Sequence, residues 1–260
     1  MIKGEQSQFI PELDEEIRQQ KRSTYKTTDK QPASLVYQNF EQAWIGRDEP
    51  GFPTALYLFI KRLIDITIAG LGLILTLPLM LLISILIRLD SPGPVIFRQK
   101  RIGRNRRFYS NGHLSDRRNS DLKGQPFYMF KFRTMKHEVA RYAVSPQNEN
   151  DQRLTRAGRI IRATCLDELP QLINVLKGDM SLVGPRPEMS FIVKNYNPLE
   201  SLRLAVKPGI TGLWQLYGSR EQHIHENLQY DLDYIKNRSL SLDLKIMLKT
   251  ISFVFRSKNV

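Results

Sequence analysis

Two adjacent carboxylates, Asp167 and Glu168, are the residues whose types most directly suggest chemistry. They lie in "RATCLDELPQLINVLKGDM", where apolar residues at i, i+3, i+4 and i+7 predict a helix that begins at Leu169 and ends at Gly178. Pro170 fits the first turn of such a helix, since the N–H that it lacks is not needed there. Acidic residues at a helix N-terminus also serve as caps and favour the helix dipole. The pair therefore fits a purely structural role as well as a catalytic one.

Basic side chains on separate segments could bind an anion beside this pair. In "SLVGPRPEM", Pro185 and Pro187 predict a stiff turn that fixes the arginine between them. The segment "VKPGITGLWQLYGSR" is a glycine-rich loop that ends in an arginine, and "YMFKFRTM" alternates as a strand with one basic face. Arginine binds phosphate well through its bidentate fork. The candidate anion-binding residues are Arg162, Arg186, Arg220 and either Lys131 or Arg133.

The overall charge favours an anionic partner. The 260 residues include 39 Lys+Arg against 26 Asp+Glu, a formal net charge of +13. This excess suits nucleic acid, an acidic membrane surface or a phosphorylated small molecule. The single cysteine, Cys165, excludes an intrachain disulfide and a cysteine-based zinc site. Neither the P-loop motif nor the dinucleotide-binding G-x-G-x-x-G motif occurs.

Segment 66–87 is predominantly apolar, carries no charged residue and is long enough to cross a bilayer as a helix. Positive charge flanks it on both sides, with a lysine–arginine pair before it and a run of basic residues from Arg88 onward. The positive-inside rule favours keeping both ends on the cytoplasmic side, and Pro78 near the middle favours a kink. We therefore predict a re-entrant hairpin that bends at Pro78, rather than a spanning helix. Thr76 is expected to bond a carbonyl that the proline leaves free.

A second membrane-associated element is possible at the C-terminus. In "SLDLKIMLKTISFVFRSK", apolar residues share one helical face and basic residues surround it. Such a helix can lie in the interface above anionic lipids, or it can be an ordinary helix that faces the core. The sequence favours neither of these two interpretations. The apolar face consists of Leu244, Met247, Leu248, Ile251, Val254 and Phe255.

Four segments, in order along the chain, resemble a known family. They are "KRLIDITIAGLGLILTLPLMLLISILIRLDSPGPVIFRQKRIG", "FYMFKFRTM", "LTRAGRIIRATCLDELPQLINVLKGDMSLVGPRPE" and "VKPGITGLWQLYG". They resemble the bacterial sugar transferases, also called monotopic phosphoglycosyl transferases, in their small single-domain form. We therefore predict an α-dominated α+β fold in a monotopic membrane protein. Its parts would be a polar N-terminal extension (1–55), a re-entrant membrane helix (56–90) and a cytoplasmic catalytic domain with interfacial helices (91–260).

The resemblance implies a reaction. A sugar 1-phosphate would move from a nucleotide diphosphate sugar, by resemblance a UDP-sugar, to polyprenyl (undecaprenyl) phosphate. The reaction would take place at the cytoplasmic face of a bacterial inner membrane, over anionic lipids, and would initiate a surface glycan such as an exopolysaccharide, capsule or lipopolysaccharide. It would release the nucleoside monophosphate.

The same resemblance implies residue roles. Asp167 would be the covalent nucleophile, and Glu168 would bind Mg²⁺. We expect Arg162 and the helix N-terminus to keep Asp167 ionised. Phosphate contacts are implied for Arg162, Arg186 and Arg220, and an approach to the nucleotide base for the turn of Pro185, Arg186 and Pro187.

Two other classes remain open from the sequence. The basic run from Arg98 to Arg107 suggests a membrane-tethered nucleic-acid-binding protein, although no recognition module accompanies it. A membrane scaffold without catalytic activity would leave the two carboxylates idle. Only the transferase is expected to release nucleoside monophosphate from a nucleotide sugar.

Overall fold

Most of the described chain is helical, and its strands are short. The computed structural model describes residues 54–105, 123–139, 151–218 and 228–256, so nearly all of the predicted N-terminal extension lies outside it. The helices are α1 Thr54–Asp90, α2 Arg156–Ala163, α3 Gln171–Lys177, α4 Ser190–Lys194, α5 Pro198–Ser201, α6 Leu213–Tyr217, α7 Leu228–Asn237 and α8 Leu240–Arg256, with short 3-10 turns at Leu166–Glu168 and Leu202–Ala205. The strands are β1 Ile96–Ile102, β2 Pro126–Phe132, β3 Ser181–Val183, β4 Glu188–Met189 and β5 Gly209–Thr211. This helix-rich architecture agrees with the predicted α-dominated class.

Helix α1 is long, apolar and mostly exposed. It has 37 residues, which corresponds to roughly 55 Å at about 1.5 Å per residue. Its apolar stretch has a mean hydropathy of 2.6, and only 11% of that stretch is buried. Ile74 and Leu75 are 71% and 78% exposed, whereas the core helix of a soluble protein would bury such residues. Among the described residues, α1 is the one helix long and apolar enough to cross a membrane by length and composition.

Pro78 lies inside α1 without dividing it into two helices. The hydroxyl of Thr76 donates to the carbonyl oxygen of Gly72 at 2.7 Å. The carbonyl that loses its usual N–H partner to Pro78 is that of Ile74, four residues before the proline. The expectation that Thr76 satisfies the freed carbonyl is therefore wrong, because its side chain reaches back four residues from its own position.

Buried polar contacts fix the N-terminal part of α1 to the rest of the protein. Nζ of Lys61 lies 2.8 Å from Oδ2 of Asp243 in α8. Asp65, which is 3% exposed, accepts hydrogen bonds from the Ser181 hydroxyl at 3.1 Å and from the Leu182 N–H at 3.0 Å. These contacts attach α1 to α8 and β3.

The C-terminal part of α1 packs on β2 and α2. Ile83 and Ile87 form a buried cluster with Phe132 of β2. Oδ2 of Asp90 accepts a hydrogen bond at 2.9 Å from the N–H of Ala157, in the first turn of α2. Both ends of α1 therefore pack on one folded unit.

Two small sheets contain the strand that carries Lys131 and the strands that flank the turn of Arg186. Strand β1 pairs antiparallel with β2 along its length and with β4 at its end, in the order β2-β1-β4. Strands β3 and β5 pair in parallel, with Ser181 opposite Gly209. A Cβ at Gly209 would lie 2.1 Å from the backbone N of Gly184, so this close approach of two backbones requires glycine.

Helix α8 buries one face, which includes an aspartate, and exposes apolar residues elsewhere on its surface. Asp243 and Ile246 are 5% and 2% exposed, whereas Leu244, Leu248 and Ile251 are 53%, 58% and 55% exposed. This arrangement favours the interfacial interpretation of the C-terminal helix over the core-facing one. The side chains at 254 and 255 of the predicted apolar face lie outside the described part of the chain.

Candidate active site

Asp167 and Glu168 lie in a 3-10 turn rather than at the cap of a helix. Helix α3 begins only at Gln171, and no side chain caps it. The turn follows Cys165, whose φ of 56° lies in the left-handed region that favours glycine. The predicted helix start at Leu169 is therefore two residues early, and the interpretation of the pair as a helix cap is wrong.

The two carboxylates form an ion-pair cluster with one lysine and one arginine. Nζ of Lys131 lies 2.5 Å from Oε1 of Glu168 and 3.5 Å from Oδ2 of Asp167. A guanidinium nitrogen of Arg186 lies 3.6 Å from the same Glu168 oxygen. Asp167 is buried, whereas the side chains of Glu168 and Arg186 are 23% and 31% exposed. We name these four residues the Asp167 cluster; it reaches solvent through Glu168 and Arg186.

The surroundings drive the pKa values of the two neighbouring carboxylates in opposite directions. Burial raises the pKa of Asp167; Lys131 and Arg162 oppose this effect, and the charge of Glu168 reinforces it. Burial also disfavours ionisation of Glu168, but Lys131 and Arg186 outweigh it and lower the pKa of Glu168 to about 2. Burial prevails over Arg162, so the pKa of Asp167 shifts in the direction opposite to the one expected from that arginine and a helix N-terminus. Neighbouring carboxylates with divergent pKa values are typical of a site that gives them different roles.

A buried asparagine on α3 fixes the strand that carries Lys131. Asn174 is 0% exposed. Its Oδ1 accepts a hydrogen bond from the N–H of Phe130 at 3.0 Å, and its Nδ2 donates to the carbonyl of Tyr128 at 2.7 Å. The carboxamide thus pairs with the edge of β2 and holds α3 beside the lysine. Sequence reasoning missed Asn174, because helical periodicity alone does not distinguish a buried polar residue from an exposed one.

Arg186 extends from a turn between two buried prolines. Pro185 and Pro187 are both buried, in agreement with the predicted stiff turn. The guanidinium carbon of Arg186 lies 5.9 Å from the ring centroid of Trp214 in α6, a distance compatible with a cation–π interaction. Sequence reasoning does not identify Trp214, although the tryptophan belongs to the glycine-rich segment that precedes Arg220.

The remaining predicted anion-binding residues lie in different places. Arg133 is 5% exposed, and its guanidinium donates to carbonyl oxygens at the end of α1 and just after it. Of the two alternatives on this segment, Lys131 is therefore the one in the cluster. Arg162, in the last turn of α2, is close enough to lower the pKa of Asp167. Arg220 lies outside the described residues.

The donor set fits a divalent cation that is shared with a substrate. Within the ranges that the structure describes, no group of three or more His, Cys, Asp or Glu side chains converges, so this part of the protein offers two carboxylates at most. Mg²⁺ commonly binds through one or two carboxylates together with substrate phosphates and water. Glu168 is the more exposed of the two carboxylates and so the more accessible ligand.

Comparisons with known proteins agree with one another. The family model of the bacterial sugar transferases matches residues 56–257. The chain is 40% identical over 205 residues to the UDP-N-acetylgalactosamine-undecaprenyl-phosphate N-acetylgalactosaminephosphotransferase of Aeromonas hydrophila, covering 76% of this chain and 44% of that protein. It is 40% identical over 207 residues to the UDP-glucose:undecaprenyl-phosphate glucose-1-phosphate transferase of Caulobacter vibrioides, covering 76% and 71%. The protein of the same name from Escherichia coli is 39% identical over 207 residues, covering 76% and 41%.

These matches give no support to the nucleic-acid-binding and scaffold alternatives. In the basic run that suggested nucleic acid, Arg101 donates to the carbonyl of Pro187 at 3.1 Å and so serves the fold. The chain spans less than half the length of the relatives from Aeromonas and Escherichia, and about seven tenths of the one from Caulobacter. With a family model that matches most of its length, the chain belongs to the bacterial sugar transferase family.

Proposed function

We propose that this protein transfers a sugar 1-phosphate from a nucleotide diphosphate sugar, in particular a UDP-sugar, to polyprenyl phosphate. The names of the relatives describe this reaction with undecaprenyl phosphate. The observation that carries the proposal is the cluster in which Lys131 and Arg186 face Asp167 and Glu168. The cluster offers a nucleophile and cations to an anionic substrate, and the exposed apolar helix α1 gives access to a lipid phosphate. The product would initiate a bacterial surface glycan.

The covalent route assigns the nucleophile to Asp167. A carboxylate oxygen attacks the phosphorus that bears the sugar, and a P–O bond forms as the bond from that phosphorus to the nucleoside monophosphate breaks. An oxygen of polyprenyl phosphate then attacks the same phosphorus, and the acyl phosphate bond breaks to restore the carboxylate. The two anionic substrates use one site in turn, so their mutual repulsion never has to be overcome.

Basic side chains around the pair supply the electrostatics. Lys131, 3.5 Å from Asp167, and Arg186, 3.6 Å from Glu168, offset the charge of a diphosphate, and an arginine can bind a phosphate in a bidentate manner. Arg162 adds a third positive charge near Asp167. Glu168 would hold Mg²⁺, which when bound would neutralise phosphate charge and favour the ionised form of a nearby carboxyl group.

Chelation tests the magnesium assignment. EDTA should stop the reaction, and Glu168→Gln should impair it without loss of the folded state as measured by circular dichroism. A full rate in excess chelator would remove the metal from the proposal.

We also propose that α1 enters and leaves the membrane on one face. Lys61 near its start contacts Asp243, and Asp90 at its end contacts Ala157, all within one folded unit. A helix that crossed the bilayer would have to separate these two contacts by about 30 Å of hydrocarbon. Pro78 lies between them and is where a bend is expected. The flanking positive charge favours the cytoplasmic face of the inner membrane.

Intact-mass measurement tests the covalent step. Protein incubated with a panel of nucleotide sugars and Mg²⁺, without polyprenyl phosphate, should gain the mass of one sugar phosphate, located at Asp167. Asp167→Asn should show no adduct. Asp179→Asn is a matched control and should give the parent adduct, because Asp179 is paired with Lys177 outside the cluster and an asparagine keeps an oxygen that can accept from the Asn174 amide. Turnover without an adduct, or an adduct that persists in Asp167→Asn, would refute the covalent assignment.

Labelling of cysteines tests the topology. Ala55 and Pro94 are exposed and lie on either side of the apolar stretch. In a Cys165→Ser background, Ala55→Cys and Pro94→Cys should both react with a membrane-impermeant maleimide from the same side of oriented vesicles. Reaction from opposite sides would establish a spanning helix.

A further inference from the structure

Two arginines donate hydrogen bonds to backbone carbonyls of the turn that carries Arg186. NH2 of Arg203 donates to the carbonyl oxygen of Arg186 at 3.1 Å, and NH1 of Arg101 donates to that of Pro187 at 3.1 Å. Arg203 is 4% exposed, so its charge is removed from water. Such burial is costly unless partners satisfy the guanidinium.

The partners of Arg203 orient it toward the turn. Its Nε donates to Oδ2 of Asp231 at 2.6 Å, and its NH1 donates to the hydroxyl of Tyr196 at 2.6 Å. Asp231 is 1% exposed. A second carboxylate, Glu188, lies 3.8 Å from the same guanidinium. The guanidinium thus donates at the same time to Asp231 in α7, to Tyr196 just after α4 and to the backbone of the turn.

We propose that Arg203, oriented by Asp231 and Tyr196, is a positioning residue that fixes Arg186 opposite Glu168. The side chain of Arg186 is 31% exposed, and a long exposed side chain does not hold one position by itself. Its distances of 3.6 Å to Glu168 and 5.9 Å to the ring of Trp214 depend on where the turn places its backbone. Arg203 acts on the site through that backbone and touches neither carboxylate of the pair.

The planar guanidinium is necessary for this role. Its five N–H groups point in fixed directions, so one side chain can donate to a carboxylate, a phenol and a carbonyl at the same time. A lysine carries the same charge as a single ammonium group and cannot reproduce this geometry. Arg203→Lys should therefore keep the charge balance with Asp231 and release the carbonyl of Arg186.

Trp214 provides a readout that does not depend on activity. The chain has two tryptophans, so a Trp44→Phe background leaves Trp214 as the sole indole fluorophore. A guanidinium near the indole ring shifts its emission through its electric field. Arg186→Ala defines the spectrum without that charge, and Arg203→Lys should shift the emission in the same direction. An emission spectrum of Arg203→Lys equal to that of the background would overturn the proposal.

A matched pair of tyrosines separates positioning from stability. Tyr196→Phe removes a hydroxyl from Arg203 and leaves its pairing with Asp231 in place, so it serves if Arg203→Lys does not fold. Tyr57→Phe removes a hydroxyl that donates to the buried Asp243. Both residues are distant from Arg186 in the sequence, and neither belongs to the contacts of its turn. Tyr196→Phe should shift the Trp214 emission, and Tyr57→Phe should not. The same shift in both variants would show a general loosening and overturn the proposal.

A double-mutant cycle extends the test to the reaction and rests on the proposed function. Arg203→Lys should lower kcat/KM by on the order of tenfold when Arg186 is present and by little in an Arg186→Ala background, because the effect passes through that residue. Equal factors in both backgrounds would overturn the positioning role. If the parent protein showed no turnover, the proposed function would fail, and the fluorescence comparison would still decide the positioning.

Discussion

Two clusters of polar side chains, each around a buried aspartate, differ in how fully that aspartate is satisfied. Asp243 is 5% exposed and accepts hydrogen bonds from three donors. These are the hydroxyl of Tyr57 at 3.3 Å, the ammonium of Lys61 at 2.8 Å and the hydroxyl of Tyr234 at 2.8 Å. We name these four residues the Asp243 cluster. It connects α1, α7 and α8, and its carboxylate has little capacity left for a ligand.

The Asp167 cluster also contains a buried aspartate near a lysine, but its other members are a glutamate and an arginine that are partly exposed. Two carboxylates share Lys131, which lies 2.5 Å from Glu168 and 3.5 Å from the 7% exposed Asp167. A buried carboxylate with a distant, shared cation is poorly stabilised. The comparison indicates that the number and distance of the donors around a buried aspartate separate a cluster that stabilises the fold from one that can receive a ligand.

Replacing the lysine of each cluster should give the largest contrast. We expect Lys131→Met to reduce turnover by at least about a hundredfold, because it removes the cation that faces both carboxylates. Lys61→Met should instead lower the free energy of unfolding by about 3 kcal/mol, because it leaves Asp243 buried without its cation. Its kcat/KM per folded molecule should stay near the parent value. Steady-state kinetics and urea unfolding measure the two effects, and equal losses of turnover would remove the distinction between the clusters.

The support of the Asp167 cluster can be tested at Asn174. Asn174→Ala should lower the free energy of unfolding by about 2 kcal/mol, because the Phe130 N–H and the Tyr128 carbonyl lose their partner. It should also reduce turnover, since the strand that carries Lys131 is released. Asn195→Ala is the control, because the amide of Asn195 bonds only at an exposed position, and its stability change should stay within about 0.5 kcal/mol. Turnover unchanged in Asn174→Ala would show that Lys131 is positioned without this bond.

A third comparison uses the carboxylates themselves. The raised pKa of Asp167 means that its ionised form is less favourable in the folded protein than in the unfolded chain. Asp167→Asn should therefore raise the free energy of unfolding by about 1 kcal/mol at pH 7, whereas Asp243→Asn should lower it. Loss of catalytic function with a gain in stability is expected where a site holds an unfavourable charge.

The pH dependence of that gain has a definite sign. A group whose pKa is raised on folding contributes full stability below its unfolded value, about 3.9 for aspartate, and loses it as the pH rises through the folded pKa. The difference between Asp167→Asn and the parent should therefore be largest at neutral pH and vanish near pH 4. Glu168, with a pKa of about 2, stays ionised across this range and does not interfere. Thermal unfolding measured from pH 4 to 7 tests the trend, and a gain that grows on acidification would contradict it.

Helices, strands and turns that have a local sequence pattern could be predicted from the sequence. Polar contacts between residues far apart in the chain could not. The apolar segment around Pro78, the strand with Lys131 and the stiff turn with Arg186 have local signatures, so the sequence indicated the segments that the fold brings together. Arg203 and Asn174 reach partners many residues away, and no spacing marks such pairs. Burial of Asp167 depends on packing around it, so the direction of its pKa shift was also beyond sequence reasoning.

The smallest expected change in stability concerns the backbone on either side of Asp167 and Glu168. Cys165 and Gly178 both have positive φ, 56° and 82°, and lie on either side of the segment that holds Asp167 and α3. A side chain in the left-handed region costs on the order of 1 kcal/mol, and glycine's extra freedom in the unfolded chain offsets part of the relief. Cys165→Gly should therefore stabilise the fold by about 0.5 kcal/mol or less, while Gly178→Ala should destabilise it by about 1 kcal/mol.

Cys165→Ala is the matched control for Cys165→Gly, because both variants lose the exposed thiol and only alanine keeps a Cβ. It should give no gain in stability, and both Cys165 variants should still form the sugar-phosphate adduct, since the turn keeps its geometry. Urea unfolding of the three variants measures the order Cys165→Gly, Cys165→Ala, Gly178→Ala from most to least stable. If Cys165→Gly were no more stable than Cys165→Ala, the turn before Asp167 would store no strain. The position of Asp167 would then depend on Lys131 and on the packing around the turn.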